Sequence, residues 1–292
     1  MEKATDSAPL GATISLYLAD GRPAGVRVVH KDNWSGVGVE CSRTDFPRAR
    51  KREEFGRSGV YVLIGNQGEV GGLPTLYVGE ADELASRLAN HATNKDFWTR
   101  LVIFTSKDGS INRAHAKHLE SRLYELGSTA KTSHLDNKVP PGQPNLNEQD
   151  RDFAERFLGE MLVVLPVIGI TAFELPEPDI APAASIFELK GKSATARGFE
   201  TSQGFKVLRG SLARAAEVPK IQPWIHELRA DLLANGALVP GSGALVLAQD
   251  YVFASPTAAA GVFLGRSANG RELWCRKDGK TLKQTQEELL SG

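Results

Sequence analysis

The sequence predicts an α+β protein with an N-terminal β-meander and a separate C-terminal α+β domain. Three observations carry this. Short β-rich runs alternate with amphipathic helical stripes between residues 59 and 127, at the two periods that separate strand from helix. The first 40 residues alternate apolar and polar around the turn-forming stretches DGRPAG and DNWSG. The stretch PEPDIAPAAS at 176–185, with prolines at 176, 178 and 182, reads as a linker.

A chain of 292 residues exceeds one typical domain. Its 41% hydrophobic and 24% charged residues exclude wholesale disorder and fibrous classes. The boundaries expected are an N-terminal β-rich segment over 1–55, a second domain with a trailing helix over 56–175, the linker over 176–185 and the C-terminal domain over 186–292.

Taken in order, residues 12–40 form the meander, and the basic segment 42–57 reads as a helix, with six Lys or Arg against three acids. GVYVLIG (59–65) and TLYVG (75–79) make a hairpin across the glycine-rich turn NQGEVGGLP. A helix spans about 82–91, LVIFTS (101–106) is a buried strand, and a longer helix occupies 110–127. Ala116, Leu119, Leu123 and Leu126 form that helix's apolar stripe. The chain is irregular over 128–146. Asn147 then caps a helix that presents Phe153, Phe157 and Met161 on one face and ends near Pro166.

Beyond the linker, 186–211 reads as two or three strands with a Ser-Gln-Gly turn, and 222–236 as a helix closed by Gly236. Residues 244–256 look strand-like, and the tail ends in a small hairpin and a helix. Two cysteines, Cys41 and Cys275, with no CxxC or histidine-rich partner, argue against a zinc site or a disulfide framework and suit a reducing cytoplasm. The first residues carry charges of both signs and read as no secretory signal. The longest apolar run, 161–173, is too short for the roughly 20 residues of a membrane span, so no membrane partner is expected.

Polar residues at the edges of apolar faces carry the chemistry. With Leu84 at zero on a wheel of about 100° per residue, Leu88, His91 and Arg87 share its arc, so an arginine and a histidine border the packed face. Glu120 lies about 40° from Ala116 on its own helix, at the rim of the stripe, where a carboxylate is costly unless paired. Tyr61 and Tyr77 stand on adjacent strands with hydroxyls that need partners. Such a set suits phosphodiester hydrolysis. Glu120 would hold a divalent cation, Mg²⁺ or Mn²⁺, that keeps most of its waters. Arg87 would grip a phosphate oxygen with its planar fork, while one tyrosine takes the proton of the attacking water and the other orients it.

GVY at 59–61, YVG at 77–79, Arg87 ten residues on, His91 four later and Glu120 on the next helix resemble the GIY-YIG nuclease family, over about residues 56–146. The resemblance implies a small mixed β-sheet flanked by helices. It also implies an active site made of the two tyrosines, the arginine, a histidine or tyrosine one turn later and a metal-binding glutamate. An asparagine after the glutamate often completes that site, and Asn137, Asn145 and Asn147 are candidates; Asn137 is favoured because Asn147 has a cap to make. The wider arrangement resembles bacterial GIY-YIG proteins with an uncharacterised C-terminal domain.

The chain departs from the family at two points. Its tyrosines are 16 residues apart, and Glu80 stands where some relatives carry lysine, a role open to Lys117 or His115.

The partner expected is DNA, with RNA the weaker possibility; the competing reading is a catalytically weak or inactive nucleic-acid-binding adaptor. Formal net charge is zero, 35 basic against 35 acidic residues, so no global field points to a polyanion. The charge is segregated, however. Residues 94–135 hold seven Lys or Arg against four acids and 186–214 six against two, while 145–180 hold eight acids against two arginines. Phe97 and Trp98 are candidates for base stacking, with core packing the commoner fate of such residues.

Overall fold

A computed structural model describes residues 11–65, 73–175, 185–201 and 203–291. Most of the glycine-rich hairpin turn, nearly all of the proline-rich linker and Ser202 of the Ser-Gln-Gly turn lie outside the described residues. The protein is mixed α+β, with two β-sheets and eight α-helices among the described residues. The chain divides into two compact units, with Glu174 the last residue of the first and Leu175 the start of the second's main segment; residues 73–74 and 129–134 group with the second.

The first unit begins with β1 (Ile14–Leu18), β2 (Arg27–Lys31) and β3 (Gly36–Ser42), an antiparallel meander as expected. It continues through β4 (Gly59–Gly65), β5 (Thr75–Ala81), β6 (Trp98–Ser106) and the two-residue β7 (His134–Leu135). The strand order is β1-β2-β3-β6-β4-β5-β7. The meander therefore does not stand apart from residues 56 onward: β3 pairs with β6 along its whole length, Gly36 opposite Ser106 through Ser42 opposite Arg100, and one seven-stranded sheet results. The N–H groups of His134 and Asp136 donate to the carbonyls of Pro74 and Leu76, numbers rising together, so β7 runs parallel to β5 on an otherwise antiparallel sheet.

β4 lies between β5 and β6 with every residue buried, which is why GVYVLIG is apolar on both of its faces. Val60, Val62, Val78, Val102 and Phe104 pack on α3 (Arg113–Ala130) and α4 (Glu148–Val167), through Ala116, Leu119, Leu123, Phe157 and Met161. On the opposite face Tyr61, Leu63, Leu101 and Ile103 meet Phe46, Phe55, Trp98 and, from α2 (Leu84–Asn94), Leu84 and Leu88. Asn147 caps α4 as expected, its side chain accepting from the N–H of Asp150 at 2.8 Å.

The helix expected over 42–57 is instead a short α1 (Phe46–Ala49), an extended Arg52 and a 3-10 turn at Glu53–Gly56. The cause is geometric. In one straight helix Phe46 and Phe55, nine residues apart, would sit about 180° from each other and only one could face the core. Breaking the helix buries both, 3% and 0% exposed, with their rings 6.2 Å apart.

In the second unit β8 (Phe187–Gly191), β9 (Ala194–Thr201), β10 (Gly204–Val207), β11 (Leu212–Arg214), β12 (Leu238–Pro240), β13 (Ala244–Leu247) and β14 (Tyr251–Phe253) form the other sheet, in the order β12-β13-β11-β9-β10-β14 with β8 on β9. Its helices are α5 (Pro223–Ala234), α6 (Pro256–Leu264), α7 (Gly270–Leu273) and α8 (Leu282–Ser291). Gly236 follows α5 at φ +72°, the left-handed conformation a helix end favours. α6 escapes sequence reading because residues 258–264 are buried all round, which erases the helical period. Arg229 ties this core together, donating to the carbonyls of Val262, Arg214 and Ala215 and to Glu217. No helix among the described residues is long and apolar enough to cross a membrane.

Candidate active site

The two tripeptides GVY and YVG face each other on β4 and β5, with Tyr61 directly opposite Gly79 and Gly59 opposite Ala81. Their glycines are required sterically. A Cβ on Gly79 would lie 2.3 Å from the Tyr61 hydroxyl, and one on Gly59 would lie 2.4 Å from the Phe104 carbonyl of β6. Gly79 is thus the floor on which the Tyr61 hydroxyl rests. That hydroxyl is 2.7 Å from Nε2 of His91, and Tyr61 is wholly buried.

Tyr77 is half-buried beside this pair, its ring centroid 6.3 Å from that of Tyr61 and 5.1 Å from that of His91. The expectation that α2 turns Arg87 and His91 to its packed border is met differently by each. His91 is 9% exposed, whereas Arg87 is exposed and carries its guanidinium back to the two phenols.

The electrostatics follow from burial. Burial pushes the Tyr61 phenol well above the ordinary tyrosine range, and the neighbouring Tyr77 adds to it, outweighing the opposite pull of Arg87. Tyr61 therefore keeps its proton. Burial, then the charges of Arg87 and Lys95, push His91 down to about 4, so its imidazole is neutral near pH 7 and can accept the Tyr61 hydroxyl proton. Hydrogen bonding to Tyr61 is the chief reason the Arg87 guanidinium is raised.

Glu120, on α3, comes close enough to Glu80 of β5 and to Arg87 for their charges to act on it. The backbone N–H of Glu80 faces the Glu120 carboxylate and favours the charged form. Burial, then the negative charge of Glu80, raise Glu120 to about 7, with Arg87 and Lys117 opposing. Glu80 carries a buried Oε2 with no hydrogen-bond partner. Two carboxylates thus share one edge, one of them with an unsatisfied oxygen, an arrangement that a cation would relieve. Among the described residues no group of three or more His, Cys, Asp and Glu that could hold a metal ion gathers.

The remaining candidates separate cleanly. Asn137 reaches the same edge, but both ends of its amide are spent on Val78: Oδ1 accepts from its N–H at 3.1 Å and Nδ2 donates to its carbonyl at 2.8 Å. His115 is committed to the α3–α4 contact, with Nε2 3.2 Å from Asp150. Lys117, half-buried, is the basic group of α3 whose charge reaches Glu120. Trp98 is 1% exposed, packed edge-on to Phe46 with Arg43 over its ring, which leaves no face for a base.

Three residues that the sequence does not single out for these roles stand in the site: Glu80 as the second carboxylate, and the ion pair of Lys95 with Asp136 beside Tyr77. Strand alternation is the signal that finds Glu80, since it puts residue 80 opposite to Tyr77, on the face where Glu120 stands. Lys95 and Asp136 are 41 positions apart and carry no such signal.

Residues 187–286, about a third of the chain and wholly within the second unit, match the family described as a domain of unknown function (DUF4357). Comparison with curated proteins and with solved structures gives no match.

Proposed function

We propose that the first unit is a metal-dependent nuclease of the GIY-YIG kind, hydrolysing a phosphodiester bond of DNA at one site per chain. The observation that carries this reading is convergence. Tyr61, Tyr77, Arg87, His91 and Glu120, picked out by spacing in the sequence, come from two strands and two helices to one cluster around β5, with the Tyr61–His91 hydrogen bond at its centre.

The residues fit a divalent cation: Glu120 would hold it, with the orphaned oxygen of Glu80 as the second donor, and two carboxylates suit an ion that retains water. Such an ion, when bound, offsets charge developing on the phosphate and makes water more acidic. Arg87, exposed and directed at the phenols, grips a nonbridging oxygen. Tyr77, the half-buried phenol, orients the attacking water. The water oxygen bonds to phosphorus while the proton it loses passes to the Tyr61 oxygen as Tyr61 hands its own to Nε2 of neutral His91; the P–O bond to the leaving sugar oxygen breaks, and that oxygen takes a proton from solvent.

The test is incubation of plasmid and single-stranded DNA with the whole protein, in Mg²⁺ or Mn²⁺ and in chelator, beside Arg87→Ala and Glu120→Gln. Cleavage by wild type alone, lost in chelator, supports the assignment. DNA binding without cleavage in any metal assigns an adaptor instead, and preferential competition by RNA reassigns the substrate.

A further inference from the structure

Tyr77 is held more tightly than a strand residue beside a two-residue edge strand needs to be. The segment that follows β7 brackets it. The N–H of Asp136 donates to the carbonyl of Leu76 at 2.7 Å, and the Asn137 amide takes both the N–H and the carbonyl of Val78, so the residues on either side of Tyr77 are tied to neighbouring positions of one segment. The ring is fixed as well. The Asp136 carboxylate pairs with Lys95, whose ammonium lies 4.2 Å from the Tyr77 ring centroid.

Lys95 is itself anchored at its other end. Its N–H closes α2 on the His91 carbonyl at 2.9 Å, and its carbonyl accepts from the Arg43 guanidinium at 2.8 Å. Its side chain is 20% exposed. A free surface pair contributes roughly 0–1 kcal/mol and loses side-chain entropy on ordering, so stability alone is a poor reason to stack a half-buried lysine against one particular tyrosine.

We infer that Lys95, Asp136 and Asn137 form a clamp that positions the Tyr77 phenol for the reaction, with Lys95 its principal positioning residue. The inference rests on the nuclease reading, with Asn137 acting through Val78 rather than on substrate. Lys95 also faces the site electrostatically: burial, Arg87 and Lys95 together lower His91, and Asp136 opposes them.

Two measurements on the full-length protein test the clamp separately from the nuclease reading. The first is NMR of protein carrying ring-labelled tyrosine, the Tyr77 signal being identified by its absence in Tyr77→Phe. Lys95→Met is expected to shift and broaden that signal, while Lys95→Arg, which keeps the cation and the ion pair, leaves it close to wild type. The second is steady-state cleavage. Misplacement of a reacting group by an ångström costs about 100-fold, so Lys95→Met should lower kcat by one to two orders of magnitude with KM unchanged, and Lys95→Arg should recover most of it.

An unmoved Tyr77 signal in Lys95→Met overturns the clamp. So does unchanged kcat with a raised KM and a salt dependence of binding shallower by about one phosphate contact, which makes Lys95 a phosphate ligand instead. Wild-type protein that cuts nothing refutes the nuclease reading but leaves the spectroscopic arm to decide the clamp.

Discussion

Glu120 makes the strongest quantitative prediction, because it lies beside Glu80 at the edge of β5. The perturbation is Glu120→Gln, which keeps an acceptor for the Glu80 N–H and removes the charge. In the folded protein burial and Glu80 raise the carboxyl from 4.5 to about 7, and at 1.36 kcal/mol per pKa unit this caps the penalty near ~3 kcal/mol. Partial solvent exposure of the group reduces the figure to about 2 kcal/mol.

A raised folded-state pKa makes the contribution to stability fully present below the unfolded pKa and lost as pH rises through the folded one. Wild type and Glu120→Gln should therefore be equally stable near pH ~4, and the variant should gain progressively, reaching about 2 kcal/mol above pH ~7.5. The assay is urea unfolding in chelator across that range. Trp34 and Trp98 report on the first unit, and the contributions of Trp224 and Trp274 cancel in the difference between variants. Mg²⁺ should then stabilise wild type above neutral pH and leave the variant unmoved. A difference that stays flat with pH refutes the raising of the Glu120 carboxyl by burial and by Glu80.

Two further outcomes follow from the edge of β5. Gly79→Ala should destabilise by roughly 1–3 kcal/mol, because the new Cβ meets the Tyr61 hydroxyl at 2.3 Å and its ring Cζ at 2.4 Å, and Tyr61→Phe in the same chain should recover little of the loss because that ring carbon stays; denaturant titration of the single and double variants reads both. Asn137→Ala should cost about 2 kcal/mol by leaving the Val78 N–H and carbonyl without partners, and hydrogen exchange should speed at Val78 while the N–H groups of β6 stay protected.

Much of this architecture is legible in the residues themselves. β4 is apolar throughout because both its faces are covered, the α3 stripe packs on one face of the sheet, and Asn147 caps α4. Glu120 stands out at the rim of its stripe because a carboxylate there needs a partner. What the sequence hides is long-range or non-periodic. The break between Phe46 and Phe55 reflects a core that accepts both rings, which a local helical reading cannot see. The join of β3 to β6 is a pairing across 58 or more positions, with no local mark in either strand. α6 is buried all round, so its period is invisible. Lys95, at the end of α2, meets Asp136 only because an irregular segment returns along β5.

The most direct test of the central claim is crystallographic: locate Mn²⁺ by anomalous scattering, with sulfate as a phosphate mimic, in crystals of the whole protein. The proposed site places the metal between the carboxylates of Glu120 and Glu80, with the anion against Arg87 and the two phenols. Metal bound elsewhere, with both carboxylates bare and no anion on Arg87, contradicts it.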